Sequence, residues 1–420
     1  MATRAPDAMR GPTSMRRANE WAVLTRLHDQ APVSVPQLAA DTGLSRPTVN
    51  LALANLQDGG LVRQTGVRSG QAGRAARLWE PEARAGWIVS VDVGVRWTKL
   101  VLADLGGEVV ARGRERSEVS DSTRLVRQIS RLVDGLLAEH GTPLTDVLSI
   151  VVGSPGVFDP ATRRVRLASN LPGWDRPAMV ALLAEELGDR VVFENDIDLA
   201  ALGEQAAGLG RDVRDFVYLS VGSGIGMGTV IDGRLHRGAH GAAGEIAFLL
   251  VDGATGAESS GAEPPGAEAE QDGEARWTRG ELESAAAADA IVAAARSAGL
   301  AGAESAGDVF AAARAGDPRA RAAVARETDL LARALVSVVA TVDPELVVLG
   351  GGVGGHAEFL LEPLRERLTE LVPLPLPELA VSAVGEEAAV LGGIAHARQI
   401  AHSSIFERYC GNAPAPVNGS

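Results

Sequence analysis

Residues 190–207 read RVVFENDIDLAALGEQAA. Arg190–Phe193 is a short apolar strand, and Ile197–Ala207 repeats apolar residues at helical spacing. Between them stand Glu194, Asn195 and Asp196. A strand that runs through a polar pair into a helix predicts an α/β unit. Asn and Asp are also common helix caps, so capping alone is one reading of Asn195 and Asp196.

The same pattern recurs on both sides. Val147–Val152 is a buried strand running into Gly153-Ser154-Pro155-Gly156-Val157. Phe216–Val221 runs into Gly222-Ser223-Gly224-Ile225-Gly226-Met227-Gly228, and Glu345–Leu349 runs into Gly350-Gly351-Gly352. Upstream, Gly86–Val93, Thr98–Ala103 and Glu108–Arg112 predict three strands, with Asp92 and Gly94 at the first turn. A helix over Thr123–Glu139 follows. Strand-to-helix turns need glycine for their backbone conformation, so these glycines are consistent with turn geometry alone.

The first 85 residues follow a different plan. Ala18–His28 places Trp21, Leu24 and Leu27 at helical spacing. Val35–Asp41 is a second short helix with Leu38 and Ala39 facing inward, and Gly43 makes the turn after it. Ser45 is a good N-cap, and Pro47 is tolerated in the first turn of the third helix, Arg46–Asp58. Val49, Leu51, Leu53 and Leu56 are available for its core. Arg46, Thr48 and Asn50 face outward, and Gly59-Gly60 ends the helix. Leu61–Arg63 and Ala76–Trp79 predict a two-stranded wing. The loop between them, carrying Arg68 and Arg74 among glycines, suits a minor groove or the phosphate backbone. Helix, turn, helix and wing in this order read as a winged helix-turn-helix, whose third helix enters the major groove of double-stranded DNA.

Charge separates the two parts. Residues 1–79 carry ten arginines against five acids, whereas the whole chain is at −14. A basic head on an acidic body fits a localised nucleic-acid footprint. At 420 residues and 46% hydrophobic content the chain can bury more than one core. It has no apolar run of membrane-spanning length and no secretory signal at its start, so a cytoplasmic protein is expected. One cysteine, Cys410, excludes an internal disulfide and a cysteine-rich zinc site. Lys99 is the only lysine.

The order GxPG, NLPGW, ENDxxxA, GxGIGxG, GAAGEI and PELVVLGGG resembles the ROK family of repressors and sugar kinases. The head is similar to that of the family's xylose- and N-acetylglucosamine-type repressors, Arg68–Arg74 matching their wing. This resemblance implies an α/β body of two actin-like lobes (ribonuclease H-like, sugar-kinase-type) with a cleft between them, in a dimer or tetramer. It divides the chain into a disordered 1–17, a head at 18–85, a body at 86–400 and a tail at 401–420. Carried over position by position, it makes Asp196 the general base of a sugar kinase. Asn195, Glu245 and Glu283, with Asn170 of the NLPGW motif, become sugar contacts. Asp92, Gly94, Gly222, Gly224, Gly226 and Gly351 become phosphate-turn positions.

The departures bear on activity. Phe248 stands where the family's GEIGH motif has a histidine, and would offer the ligand an apolar face. The CxCGxxGC zinc motif is absent; residues 252–276 are a Gly/Ala/Glu-rich insert expected to be disordered, and no zinc is expected. Val95 and Arg96 replace the small and hydroxyl residues of the first phosphate turn. Arg96 could bind phosphate by charge, but a lost nucleotide site is the expectation, with Asp196 vestigial and no ATP. The chain then reads as a sugar-controlled transcriptional regulator, a repressor of carbohydrate-related genes. The alternatives are an active sugar kinase with an accessory DNA-binding head, and a regulator that answers to a protein partner.

Overall fold

The protein is described from a computed structural model. The structure describes residues 12–68, 76–159, 162, 164–168, 171, 174, 178–251, 267–269, 275–277 and 279–412.

The head comprises α1 (Pro12–Gln30), β1 (Val33–Ser34), α2 (Val35–Thr42), α3 (Arg46–Asp58), β2 (Val62–Arg68) and β3 (Ala76–Pro81). Its sheet has the order β1-β3-β2 and is antiparallel. The α2–α3 turn is closed as the sequence predicts. Gly43 takes φ +71°, and the Ser45 hydroxyl accepts from the Thr48 amide at the start of α3. Two expectations change here. The first helix begins at Pro12, so residues 12–17 are helical and not part of a disordered terminus. Leu51 is 59% exposed, because the core face of α3 is Val49, Ala52, Leu53 and Leu56, spaced i, i+3, i+4, i+7.

The first lobe is built on β4 (Trp87–Val93), β5 (Trp97–Asp104), β6 (Val109–Arg116), α4 (Ser122–His140), β7 (Val147–Ser154), β8 (Val157–Asp159), β9 (Arg164–Arg166), α5 (Ala178–Leu187) and β10 (Val191–Asn195). Its five-stranded sheet runs β10-β7-β4-β5-β6. The pairs β4–β5 and β5–β6 are antiparallel, while β7 and β10 are parallel additions. Strand β7 is buried along its whole length, as a two-sided parallel strand must be. Helices α4 and α5 cover one face around Leu125, Ile129, Val133 and Leu183.

From β10 the chain passes directly into α6 (Asp196–Ala207) and then the second lobe: β11 (Phe216–Val221), β12 (Ile225–Ile231), β13 (Arg234–Leu235), a ribbon of β14 (Ala267–Ala269) and β15 (Ala275–Trp277), α7 (Glu281–Ala286), α8 (Ala288–Ser297), α9 (Ala306–Arg314), α10 (Pro318–Val342), β16 (Leu346–Gly350), α11 (Gly351–Gly354), α12 (Ala357–Leu371) and β17 (Glu378–Val381). The sheet order is β13-β12-β11-β16-β17. The ribbon corrects the expectation that 252–276 lacks structure throughout: Ala267–Ala269 pairs antiparallel with Ala275–Trp277, so backbone pairing occurs within a segment of low sequence complexity.

The last helix, α13 (Ala388–Asn412), returns to the first lobe. It lies against α6, β4 and β7, and its later turns reach α1. Helices α6 and α13 touch backbone to backbone: a methyl on Gly203 would overlap the Ala388 carbonyl, and one on Gly392 the Leu199 carbonyl. Residues 401–412 are therefore helix and core, not a tail. Ala401, Ile405 and Phe406 are buried in one hydrophobic cluster with Leu24, Leu27, Leu53 and Leu56 of the head and Ile88 and Ala103 of the first lobe. Head and first lobe thus share a core. The alanine-rich helix serves two partners in succession, which lets its polar residues fall at different angles in each half.

Candidate binding cleft

The carboxyl ends of β4, β7, β10 and β11 converge on a cleft between the lobes. One cavity of about 380 Å³ is lined by Asp92, Val95, Lys99, Gly156, Asn195, Asp196, Gly222–Gly226, Glu245 and Glu283. A second, of about 400 Å³, adjoins it through Asp92, Asp196, Ser220, Gly351 and Gly352 and continues past Tyr218, Ser382 and Glu386. Either volume suits a small ligand. A larger hollow of about 500 Å³ lies between α3 and the end of α13, lined by Asn55, Gly59, Arg408 and Tyr409. It lacks the converging carboxylates, so the cleft is the better candidate.

Asn195 is a cap in this structure. Its Oδ1 accepts from the amides of Ile197 and Asp198 at 2.8 and 2.9 Å. Its Nδ2 donates to the Gly156 carbonyl at 3.0 Å, fixing the β7–β8 turn against β10. Gly156 is required there: it takes φ +93°, and a methyl would overlap the Arg166 carbonyl. The second N–H of the Asn195 amide has no bond among the described residues, and the residue lines the cleft. Capping and ligand contact are thus compatible for this residue.

Asp196 opens α6 with Oδ1 accepting from the Ile197 amide at 3.0 Å. Burial raises its pKa to about 7, with Asp92 and then Glu245 adding to the shift. Asp92 is itself raised to about 6, by burial against a partial offset from Lys99. Asp92 and Lys99 are cross-strand neighbours in the β4–β5 register. The Lys99 ammonium donates to the carbonyl of Glu386 at 2.9 Å, reaching the segment that precedes α13. Glu245 is raised by burial first and by Glu283 second.

Glu283 is committed within the protein. Its Oε2 accepts from the Ile225 amide at 3.1 Å and its Oε1 from Arg279 Nε at 3.1 Å. It shapes the glycine loop while lining the cavity. Phe248 is a correction. It is 37% exposed and is not among the cleft-lining residues, because the turn Ile246–Phe248 buries Ile246 and Ala247 and leaves the ring outside. Asn170 and Arg74 lie outside the described residues. Arg68 ends β2.

The glycines have structural reasons. Gly228 leaves no room for a methyl against Ala201 and the Ile197 carbonyl, and Gly351, at φ +79°, would meet the Val221 carbonyl. Gly226 packs on Ile197, and the Gly222 amide donates to the Gly224 carbonyl at 2.9 Å. At the first turn the Gly94 amide donates to the Trp97 carbonyl, Val95 lines the cavity, and Arg96 is exposed.

Four residues behind the cleft are given no role by the motif reading. Glu194 is buried, and Arg237 from the loop after β13 binds it through Nε at 2.6 Å and Nη2 at 2.5 Å. His396 Nε2 of α13 lies 3.9 Å from the same carboxylate. Asp198 is pushed up to about 8, by burial first and Glu194 second. Glu194 was legible as part of the polar triplet, but nothing local links it to residues 43 and 202 positions away.

On the head, Arg46 and Asn50 are exposed as expected. Thr48 departs from expectation. It is half-buried, and its hydroxyl lies 2.8 Å from that of Ser45. A residue two positions after the helix start points along the helix flank, where it completes the cap.

Comparison with known proteins agrees with this layout. Residues 88–400 match the ROK family model and residues 14–75 the MarR family model. The chain is 25% identical over 399 residues to a xylose repressor of Caldicellulosiruptor bescii, covering 91% of this chain and 96% of that one. It is 31% identical over 322 residues to a glucokinase of Thermotoga maritima, covering 70% and 95%. Among solved structures, a ROK family transcriptional regulator described as a homologue of the E. coli MLC protein superposes with a TM-score of 0.73 at 22% identity, covering 95% of this chain and all of that one. Winged helix head and two-lobed body together, the chain belongs to the ROK family.

Proposed function

We propose that the protein is a DNA-binding repressor controlled by a sugar or sugar derivative held in the cleft. The observation that carries this reading is the shared core. A winged helix with a free recognition helix is packed through α13 onto the lobe that forms one wall of a cleft of small-ligand size. Similarity to a xylose repressor over nearly both full lengths supports it. Asn195, Asp196 and Glu245 are the proposed ligand contacts, with Asp92 and Lys99 at the far wall. Carboxylates and amides of this kind accept and donate to hydroxyls. Operator binding as a homo-oligomer fits paired half-sites one helical turn apart, about 34 Å.

The first phosphate turn supports a reading without a triphosphate. It is closed by its own Gly94–Trp97 hydrogen bond and carries Val95 on the cavity wall. The reading therefore includes no ATP-dependent step, and the missing cysteine motif is the ground for including no zinc. The test is footprinting of the full-length protein on genomic DNA with and without a panel of monosaccharides, acetylated amino sugars and their phosphates. Sequence-specific protection released by one of these compounds supports the proposal; no protection beyond bulk competitor DNA overturns it.

A sugar kinase is the second reading, favoured by one observation. Asp196, with a pKa of about 7, has the basicity of a general base for a sugar hydroxyl. The 31% identity to a glucokinase points the same way. A coupled assay with ATP, magnesium and the same sugars decides: steady turnover abolished by Asp196→Asn establishes the kinase.

A further inference from the structure

The outer face of α3 is apolar at its centre. One residue every 100° groups Val49, Ala52, Leu53 and Leu56 on the buried side. The opposite side carries Pro47, Leu51 and Ala54, with Asp58 in the last turn, all exposed; exposed Asn50 and Arg46 lie along one side of it. Leu51 sits in the middle, 59% exposed. A leucine in that place adds nothing to the head's core.

Its position says what covers it. The face belongs to the second helix of a helix-turn-helix, whose N-terminal turns lie in the major groove. Arginines outnumber acids two to one in the surrounding 79 residues, as a phosphate-bearing partner requires. The major groove floor presents one apolar group, the C5 methyl of thymine, and it is read by apolar side chains. Arg46 and Asn50, both exposed along one side of the same face, are of the types that read guanine and adenine edges.

Resting on the DNA-binding reading, we infer that Leu51 is a specificity-determining residue that packs on a thymine methyl in each operator half-site. Thr48 bonds Ser45 within the cap, and Leu51 adds an apolar contact to the polar ones of Arg46 and Asn50. The side chain makes no hydrogen bond to the base; it discriminates by filling the space beside the methyl and leaving a bare cytosine or uracil edge uncovered.

The experiment uses full-length protein and duplexes it selects from a randomised library. Each thymine of the selected site is replaced in turn by deoxyuridine, which removes the methyl and keeps the base pair. For the wild-type chain, one position per half-site should weaken binding roughly three- to tenfold, the scale of one buried methyl. Leu51→Ala should bind the parent duplex more weakly by a similar factor and be indifferent to deoxyuridine at that position. Leu51→Met, which keeps an apolar side chain of similar volume, should retain the sensitivity. Methyl-independent binding at every thymine, or equal deoxyuridine sensitivity in wild type and Leu51→Ala, overturns the inference. So does a loss of oligomeric state in Leu51→Ala, which would assign the face to a protein contact. Failure to select any specific duplex overturns the DNA-binding reading itself, a result distinct from these.

Discussion

His402 of α13 stacks on Trp21 of α1, ring centroids 4.6 Å apart at an interplanar angle of 26°. The pair joins the final helix of the chain to its first. Phe406 adds a second ring at 5.0 Å from Trp21, and the Thr25 hydroxyl lies 3.2 Å from His402 Nε2. Eighteen residues before Phe406, the same helix starts at Ala388, which with Ala389 lies on the cleft wall. A helix rises about 1.5 Å per residue, so one rigid element spans some 30 Å from cleft to head.

Removing this joint should cost stability before it costs anything else. Phe406 is 3% exposed in the shared cluster, and Phe406→Ala should destabilise the protein by about 3–5 kcal/mol. Because head and first lobe share the cluster, calorimetry should show both melting earlier together. A head that melts separately from an unchanged body would refute the shared core.

The joint also sets a pH dependence. Burial lowers His28 to about 3 and His402 to about 4, with His402 and Arg398 adding to the effect on His28. Their unfolded forms titrate near 6.5, so the unfolded chain takes up protons first as the pH falls. Stability from the neutral pair is complete above about 6.5 and is lost between there and about 3. Cleft carboxylates act oppositely. Asp196, about 7 when folded, favours the native state below its unfolded value of 3.8 and loses that contribution as pH rises through 7. His402→Gln should flatten the acid limb of a stability–pH curve, and Asp196→Asn the neutral limb, as measured by denaturant unfolding from pH 4 to 8.

The helix crossing offers a steric test. Gly392 abuts the Leu199 carbonyl and Gly393 the Ser90 hydroxyl, so a methyl at either must push α13 off α6 or β4. Gly392→Ala should destabilise by about 2 kcal/mol or more, against the usual helix-propensity gain of replacing glycine by alanine. An unchanged or raised melting temperature would show that the two helices are not in backbone contact.

Much of this architecture was legible in local chemistry. Buried parallel strands such as Val147–Val152 announce themselves as unbroken apolar runs, and Ser45, Gly43 and Pro47 fix the start of α3. Leu51 is an exception: a leucine suggests core by type alone, but position 51 does not share an angle with 49, 53 and 56. Asn195 carried two readings, and its bonds to Ile197, Asp198 and Gly156 show the capping one in place. The role of α13 was not legible: its alanines and glycines make it apolar on several sides, and its partners lie hundreds of residues away. Arg237 was invisible for the same reason, since its value depends wholly on Glu194 in the other lobe.

That last pair carries the final expectation. Arg237 comes from the edge of the second lobe and Glu194 from β10 of the first, so their ion pair exists only in this arrangement of the lobes. Around it, the Gly241 backbone lies against the Phe158 carbonyl, holding the loop across the gap. Glu194 is 9% exposed at its side chain and Arg237 38%, which places the pair between buried and surface bridges in strength. Arg237→Gln should therefore cost about 2 kcal/mol, because Glu194 remains buried beside Asp198 with one charged partner fewer. It should also favour separated lobes, so a ligand that contacts both walls must first restore the closed form. Its apparent affinity falls by the fraction of molecules still closed. Small-angle scattering of the full chain should show a larger radius of gyration for Arg237→Gln than for wild type. Calorimetry with whichever sugar releases the wild-type protein from DNA should show weaker binding. Unchanged scattering and unchanged affinity together would mean the lobes are held by their helices and hinge alone, with Arg237 serving only to neutralise Glu194.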